Sequence, residues 1–386
     1  MVLAADFKLG ILGAGQLARM SALQAYRFGL QVAVYTGSSS PTPSEPTSFV
    51  TPLSVDGAFD DIPSLTAFAR SCNLITLENE FIDASILEQV QADSGTPIYP
   101  SPSTFALIGD KKSEKECFER AGIPVSPWAL LPDADQARQF GETHDYPFVI
   151  KSSKGGYDGY GNATVHNADQ AAEAWARLGG SAGRDVIAEA FVSFRMELAV
   201  QVARNHTGTV VYPCCESIQE GHICKTIIAP ARIRPELRKQ AEEMAIAAVE
   251  AIDGIGLFAF EFFLTQDDRI ILNESAPRPH NSGHYTIEGS VSSQFENHIR
   301  AVLGLPLGST ELRRNAAVMV NLLGKRNHPA VAEQIEAILR SKDAHLHLYG
   351  KLQSKLGRKM GHITVLGDDV DQTVARALHL ADHIHL

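Results

Sequence analysis

The chain has 386 residues, 44% of them hydrophobic, and carries a formal net charge of −11 at pH 7. That length and apolar content predict two or three domains with a large buried interior. Nucleic acid requires a basic face, so the acidic balance predicts no nucleic-acid partner. No apolar run approaches the roughly 20 residues that span a bilayer, so we expect no membrane partner.

The start of the chain and its cysteines favour the cytoplasm. The segment MVLAADFKLGILGAG has no basic stretch before its apolar run, which leads straight into a glycine turn, so a secretory signal is not expected. The five cysteines are an odd number and match no zinc-binding spacing. We therefore expect reduced thiols in a cytoplasmic protein.

The N-terminal segment predicts a parallel sheet. KLGIL is a short apolar run, GAGQ turns the chain, LARMSALQAYRFG has apolar residues at helical spacing, and QVAVYT is a second strand. This βαβ opening implies a doubly wound parallel sheet. SLTAFARSCNLITLENE adds a helix and a third strand that ends in acids.

The glycine motif GAGQLA leaves two interpretations open. It fits a dinucleotide fingerprint, but the second strand ends in VYTGSSS, with no acid for a ribose hydroxyl, which argues against a nicotinamide cofactor. The remaining interpretations are a helix N-terminus that holds a phosphate and a turn that only packs tightly.

The middle of the chain predicts a nucleotide site next to a glycine loop. SEKECFERAGIP forms an amphipathic helix, and PFVIKSS is a strand with Lys151 near its end. A lysine beside the flexible KGGYDGYGN turn can hold phosphates while the loop closes, although a solvated lysine is an equal alternative. Glu189 and Glu197 are expected on adjacent strands, where a carboxylate can hold a ribose hydroxyl; solvated acids are the commoner case.

Two acidic strands predict a metal site. GLFAFEFFLT and RIILNESA, joined by a QDD turn, form a hairpin whose arms carry Glu261 and Glu274, with Asn273 alongside. Two carboxylates and an amide oxygen suit magnesium and its attached phosphates. Burying two like charges without a cation is costly, so the metal interpretation is favoured over solvated acids.

These motifs together resemble the ATP-grasp superfamily over nearly the whole chain and, within it, the N5-carboxyaminoimidazole ribonucleotide synthetase family. The motifs that carry the resemblance are GAGQLARM, ENE at 78–80, GGYDG at 155–159, NESAPRPHNSGHYT at 273–286, SQFENHIRAVLGLPLG, LYGK at 348–351 and GRKMGH at 357–362. The segment NESAPRPHNSGH with SQFE is close to diagnostic, whereas the glycine motif alone carries no weight.

The resemblance implies a fold of class α/β and α+β in three domains. Residues 1–113 would be a doubly wound α/β domain, residues 114–186 a small lid with the glycine flap, and residues 187–386 an ATP-grasp domain with a small terminal subdomain from about 316. Family members are commonly dimers, so a homodimer is expected.

The resemblance also implies a reaction. ATP would phosphorylate bicarbonate to carboxyphosphate, which would deliver CO2 to the exocyclic amine of 5-aminoimidazole ribonucleotide, with Mg2+ around the transferring phosphoryl group. The implied substrates are thus ATP, bicarbonate and an amine that bears a ribose phosphate.

Site residues follow from the resemblance in four sets. Those for ATP are Lys111, Lys151, Tyr157, Glu189, Ala190, Phe191, Val192, Glu197 and Asn273. Those for magnesium are Glu261 and Glu274. Those nearest the carboxyphosphate and the amine are Arg278, Asn281, Ser282 and His284. Those for the nucleotide acceptor are Gln16, Glu80, Tyr157, Asp158, Lys351 and Arg358. The polar 273–286 stretch is thus expected to be an active-site floor, partnered by metal, phosphate and substrate.

The departures from the family pattern cluster on the acceptor side. They are Phe81, Tyr160, Ser217, Gln219, Gly221, His222 and the YTGSSS turn. One explanation is drift with the same substrate; another is a relative that carboxylates or ligates a different amine. A non-catalytic binding protein would have lost Glu261, Glu274 or Lys151, and all three are present.

Two histidine pairs have metal-like spacing. HLHL at 345–348 and HIHL at 383–386 would each place both histidines on one face of a strand. We expect surface or edge-strand residues rather than metal ligands.

Overall fold

The computed structural model describes residue 4 and residues 6–38, 46–155, 161–221 and 223–384, organised around three larger sheets. No helix in these described ranges is long and apolar enough to cross a membrane.

The first sheet is parallel throughout, with strand order β3-β2-β1-β4-β5. Its elements and the helices that connect them are β1 (Lys8–Leu12), α1 (Gln16–Arg27), β2 (Gln31–Gly37), β3 (Ser54–Ala58), α2 (Ile62–Arg70), β4 (Leu74–Leu77), α3 (Ala84–Ser94), β5 (Ile98–Tyr99) and α4 (Pro102–Ile108). The predicted parallel sheet is confirmed. The strand before ENE is the fourth in chain order, since the short and mostly exposed β3 gave no apolar signal.

The second sheet is a small antiparallel one with strand order β6-β9-β7-β8. The elements of this region are α5 (Lys111–Arg120), β6 (Trp128–Leu130), α6 (Ala134–His144), β7 (Phe148–Ser152), β8 (Asn162–Val165), α7 (Ala168–Arg177) and β9 (Val186–Ala190). Helices α6 and α7 cover it with apolar residues that include Phe140 and Ala171. The β7–β8 connection contains the glycine flap, whose residues 156–160 lie outside the described ranges.

The third sheet has nine strands in the order β15-β14-β10-β12-β13-β16-β20-β18, with β11 paired to β10. Its strands are β10 (Phe194–Asn205), β11 (Gly208–Val211), β12 (Cys215–Glu220), β13 (Ile223–Ala229), β14 (Gly256–Thr265), β15 (Ile270–Ala276), β16 (Ala316–Leu323), β18 (Ala344–Leu348) and β20 (Lys359–Gly367). Strand β16 pairs with β13, so the segment from 316 extends the same sheet. The domain boundaries drawn from the sequence stay a prediction.

The remaining elements of this region pack on or beside that sheet. They are α8 (Pro235–Ala251), α9 (Thr286–Gly289), α10 (Gln294–Val302), the short strands β17 (His328–Pro329) and β19 (Gln353–Ser354), α11 (Glu336–Leu339) and α12 (Val370–Asp382). Helix α8 buries Leu237, Ala241, Ala245 and Ala248, spaced by about one turn. This stripe covers the sheet beneath the strands that carry the acidic hairpin.

The histidine pairs fall in different elements. His345 and His347 lie on β18 at the edge of the large sheet, as expected. His347 donates or accepts a 2.7 Å hydrogen bond with Glu288. His383 instead follows helix α12, so the strand expected at 383–386 is wrong for this residue, and residues 385–386 lie outside the described ranges.

Candidate active site

The β14–β15 hairpin places two carboxylates opposite each other. Glu261 pairs directly with Glu274 across the antiparallel ladder, and the register then shifts, leaving Asn273 as the extra residue of a bulge. Burial, followed by the facing Glu274, raises the pKa of Glu261 to about 8. A pair of like charges held this close is stabilised by a cation.

The donor set fits magnesium with phosphate. Glu261, Glu274 and Asn273 offer hard oxygen ligands of the kind Mg2+ prefers. Within the described ranges, no group of three or more His, Cys, Asp or Glu has metal-binding geometry. A cation held by this pair would therefore complete its coordination with water and phosphate oxygens, as suits a metal that arrives with a nucleotide.

A buried lysine cluster lies beside this hairpin. The pKa of Lys111 is raised overall, because Glu274, Glu114 and two further carboxylates outweigh the opposing effect of burial. Glu114 also lies on α5. It is buried and accepts a hydrogen bond from the hydroxyl of Ser275 on β15. Helix α5 thus contacts the hairpin directly.

Glu189 sits between two ammonium groups. Its Oε1 lies 2.9 Å from Nζ of Lys151, and its Oε2 lies 3.1 Å from Nζ of Lys115 and accepts a 3.0 Å hydrogen bond from Ser126. Burial alone would raise the pKa of Glu189, but the two lysines outweigh it and lower the value to about 2. Glu189 is therefore ionised at neutral pH.

The expectation that Glu189 and Glu197 lie on adjacent strands is wrong. Glu189 is on β9 of the small sheet, paired with β6 and β7, whereas Glu197 is on β10 of the large sheet, paired with β12 and β14. Residues 191–193 carry the chain from one sheet to the other, and Phe191 there is 54% exposed. This crossing is the hinge at which Ala190, Phe191 and Val192 were expected to hold adenine.

Arg278 bridges the hairpin to the first sheet. Its Nη2 donates a 2.7 Å hydrogen bond to Oε1 of Glu80, and its Nε donates to Oε2 of the same carboxylate. This bidentate pair lowers the pKa of Glu80 against the opposing effect of burial. Arg278, expected near carboxyphosphate, and Glu80, expected at the acceptor, are thus in direct contact.

The 281–284 segment makes hydrogen bonds within the protein, and its expected contacts with substrate and metal stay a prediction. Asn281 exchanges hydrogen bonds of 2.6 and 3.0 Å with Asn321, and Ser282 accepts one of 2.8 Å from Gln201. All three predicted residues of this segment are buried, including His284, which is 1% exposed and hydrogen-bonded to Gln294 at 3.0 Å.

His280 was missed among the candidates and is more accessible. Its ring is about one-fifth exposed, and its Nδ1 lies 3.7 Å from Oε1 of Glu261. Burial and the nearby Arg278 lower its pKa well below the usual value, and burial lowers that of His284 to about 3. The neutral ring of His280 therefore carries no charge that would compete with a cation for Glu261.

The glycine turn before α1 holds a carboxylate of the protein itself. Glu78 accepts hydrogen bonds from the backbone N–H groups of Gly15, at 2.5 Å, and Ala18, at 3.0 Å. A Cβ on Gly13, whose φ is +105°, would lie 2.2 Å from Cγ of Glu78. The helix N-terminus is thus satisfied by Glu78, which favours the tight-turn interpretation over a phosphate site.

Three family models match successive parts of the chain. A ribonucleotide synthetase preATP-grasp domain matches residues 7–109, an ATP-grasp domain matches 116–295, and a phosphoribosylaminoimidazole carboxylase C-terminal domain matches 317–376.

Curated relatives match over nearly the whole chain. The N5-carboxyaminoimidazole ribonucleotide synthase of Bacillus subtilis is 36% identical over 368 residues, which cover 95% of this chain and 93% of that protein. The chain belongs to this N5-carboxyaminoimidazole ribonucleotide synthetase family. The phosphoribosylaminoimidazole carboxylase of Schizosaccharomyces pombe is 37% identical over 97% of this chain, and the match spans 67% of that longer protein.

A solved structure of the family has the same fold. The N5-carboxyaminoimidazole synthase of Aspergillus clavatus, in complex with ADP and 5-aminoimidazole ribonucleotide, superposes with a TM-score of 0.85 at 36% identity, covering 98% of each chain. The predicted ATP-grasp fold and the membership of a ligase family are therefore confirmed.

Four of the acceptor-side residues expected from the synthetase family lie within the described ranges, namely Gln16, Glu80, Lys351 and Arg358. Gln16 begins α1, half-buried. Lys351 donates a 2.7 Å hydrogen bond to the carbonyl of Lys359, and its charge acts on Glu78 beneath the glycine turn. Arg358 donates one of 2.8 Å to the carbonyl of Gln353.

Several departures from the synthetase pattern have distinct surroundings. Phe81 is 56% exposed next to Glu80, whereas Ser217 is buried on β12 and Gln219 is half-buried. Tyr157, Asp158, Tyr160 and His222 lie outside the described residues. Among the described residues that depart from the family pattern, Phe81 thus exposes a large side chain next in sequence to Glu80, the partner of Arg278.

Proposed function

We propose that this protein carboxylates 5-aminoimidazole ribonucleotide at its exocyclic amine, using ATP and bicarbonate and releasing ADP and phosphate. The observation that carries the proposal is the assembly of the facing carboxylates Glu261 and Glu274, the cation Lys111 and the guanidinium of Arg278 at one junction. Relatives with this name and the A. clavatus complex with ADP and 5-aminoimidazole ribonucleotide support it.

The phosphoryl-transfer half of the reaction is assigned to the hairpin and the lysines. Lys111 and Lys151 would hold the phosphates of ATP, and Glu261, Glu274 and Asn273 would hold Mg2+. The bound cation supplies charge neutralisation for the transferring phosphoryl group. A bicarbonate oxygen would then bond to the γ-phosphorus as the bond to ADP breaks.

The carboxylation half is assigned to the Arg278 region. The planar guanidinium matches carboxylate and phosphate oxygens, so Arg278 would hold carboxyphosphate. In the ligand-free protein, Glu80 occupies the Nε–Nη2 edge of the Arg278 guanidinium, where carboxyphosphate would bind. Glu80 would leave this edge and turn to the acceptor when both substrates are bound. The neutral His280 and the buried 281–284 segment would wall the site and limit water, which would otherwise hydrolyse the labile intermediate.

The acceptor's phosphate is assigned to Lys351 and Arg358, with Gln16, Tyr157 and Asp158 at the rest of the nucleotide. Magnesium, bicarbonate, a homodimeric assembly and a cytoplasmic location belong to the same proposal.

The test is ADP release with MgATP, followed with and without bicarbonate and with and without 5-aminoimidazole ribonucleotide. Strong stimulation that requires both would support the proposal. A basal ATPase that ignores the nucleotide would reject this acceptor and favour a different amine, for which exposed Phe81 marks the changed surface.

A further inference from the structure

Lys115 is a buried cation that the proposed reaction does not use. It lies on α5 one turn after Lys111, and its side chain is 4% exposed. Its Nζ contacts Oε2 of Glu189 at 3.1 Å and donates a 3.3 Å hydrogen bond to Ser126. Burial lowers the pKa of Lys115 although the contact with Glu189 opposes that effect. The charge of this buried ammonium group is therefore stabilised mainly by its contact with Glu189.

Glu189 also binds Lys151, so Glu189 and the phosphates of a bound nucleotide would compete for the same ammonium group. The Lys151 ammonium lies 2.9 Å from Oε1 of Glu189, on the strand that leads into the glycine flap. If Lys151 turns to a phosphate, Glu189 loses that partner. The Glu189 side chain is 6% exposed, so water cannot replace the lost charge. Leaving one buried charge uncompensated is strongly unfavourable.

Lys115 can neutralise Glu189 when Lys151 turns away, because Lys115 keeps its own contact with that carboxylate. It bonds the other oxygen of Glu189, and Ser126 joins the two groups in a closed triangle of contacts at 3.0, 3.1 and 3.3 Å. With Lys115 present, Glu189 keeps a full counter-charge whether or not Lys151 contacts it. Without Lys115, Lys151 would be the one ammonium group in direct contact with Glu189 among the described residues.

We propose that Lys115 is a positioning residue that keeps Glu189 neutralised and so frees Lys151 to bind the triphosphate of ATP. Lys115 acts through Glu189 and does not itself touch ATP. The inference rests on the proposed function, since it takes ATP as the ligand of Lys151.

Replacing Lys115 with methionine removes the charge and keeps most of the side-chain volume. We expect K115M to weaken ATP binding by at least about tenfold and to raise the KM for ATP much more than it lowers kcat. ATP affinity is measured by calorimetric titration, which does not require turnover. Lys112→Met is the matched control, because Lys112 is on the same helix but faces Glu116 at 3.9 Å near the surface; it should bind ATP as the wild type does.

A second variant separates positioning from direct contact. In K115M/E189Q the carboxylate that retains Lys151 is gone. ATP affinity should then lie within about threefold of that of E189Q alone, because Lys115 acts on ATP binding only through Glu189. A folded K115M with wild-type affinity would overturn the inference. So would a K115M/E189Q protein that binds at least tenfold more weakly than E189Q, because Lys115 would then contact ATP directly.

The E189Q comparison holds even where K115M alone does not fold, since E189Q also removes the charge that needs a counter-ion. The inference and the proposed function fail differently. A wild-type protein that does not bind ATP would reject the proposed function, whereas wild-type binding with an unaffected K115M would reject only the role of Lys115.

Discussion

Replacing Glu261 with glutamine should stabilise the ligand-free protein at alkaline pH while it abolishes turnover. Glu261 faces Glu274 across the hairpin, and burial with this like charge raises its pKa from 4.5 to about 8. The folded state then binds a proton that the unfolded state has released, so stability falls as pH rises from about 4.5 to about 8. The amide cannot ionise and avoids this loss.

The magnitude follows from the same values. A rise from 4.5 to about 8 corresponds to an upper limit of about 5 kcal/mol, at 1.36 kcal/mol for each pH unit. The Glu261 side chain is 20% exposed, so screening by solvent reduces this limit. We therefore expect a gain of about 2 kcal/mol for E261Q at pH 8.5 and almost none near pH 4.5.

The assay is urea unfolding of EDTA-treated wild type and E261Q at pH 4.5, 6.5 and 8.5. The advantage of E261Q should grow with pH. With MgATP added, the order should reverse, because the wild type alone keeps both carboxylates for the cation. An E261Q protein that is less stable than the wild type at pH 8.5, or a difference that does not change with pH, would refute the reasoning.

Three further substitutions test other parts of the account. Glu274→Ala should abolish ATP turnover with any acceptor, and full activity would reject the metal assignment. Lys351→Ala should raise the KM for the acceptor far more than that for ATP; an unchanged acceptor KM would place the acceptor phosphate elsewhere. Glu80→Gln should lower the free energy of unfolding by about 2 kcal/mol, since Arg278 loses a bidentate charged partner. Unchanged urea unfolding of this variant would mean that the pair contributes nothing to stability.

Local patterns were sufficient for the acidic hairpin. Glu261 interrupts an otherwise apolar strand, and a short QDD turn brings the following strand back beside it, so two facing carboxylates could be predicted. The bulge could not be predicted: the register set by the turn alone would pair Glu261 with Asn273 instead of Glu274. The βαβ opening was equally local, since each strand and helix carries its own periodicity. Two strands of the first sheet were missed: β3, which has one buried residue of five, and β5, which is two residues long.

Long-range contacts could not be predicted in the same way. The strands of Glu189 and Glu197 are separated by three residues and look like neighbours, yet the chain passes there between two sheets. Nothing in the 273–286 stretch shows that Ser282 bonds to Gln201 and Asn281 to Asn321, since both partners are distant in sequence. Lys115 had one available signal, its position four residues after Lys111 on the same helix face.

The most direct test of the central claim, that ATP activates bicarbonate, follows oxygen from bicarbonate into phosphate. The protein is incubated with MgATP, 5-aminoimidazole ribonucleotide and 18O-labelled bicarbonate, and the released phosphate is analysed by mass spectrometry. If carboxyphosphate forms, one bicarbonate oxygen stays on phosphorus, so each phosphate should carry one 18O atom in proportion to the label in bicarbonate. Phosphate with no 18O, released at the full rate of ADP formation, would show that water or another acceptor takes the phosphoryl group and would contradict the account.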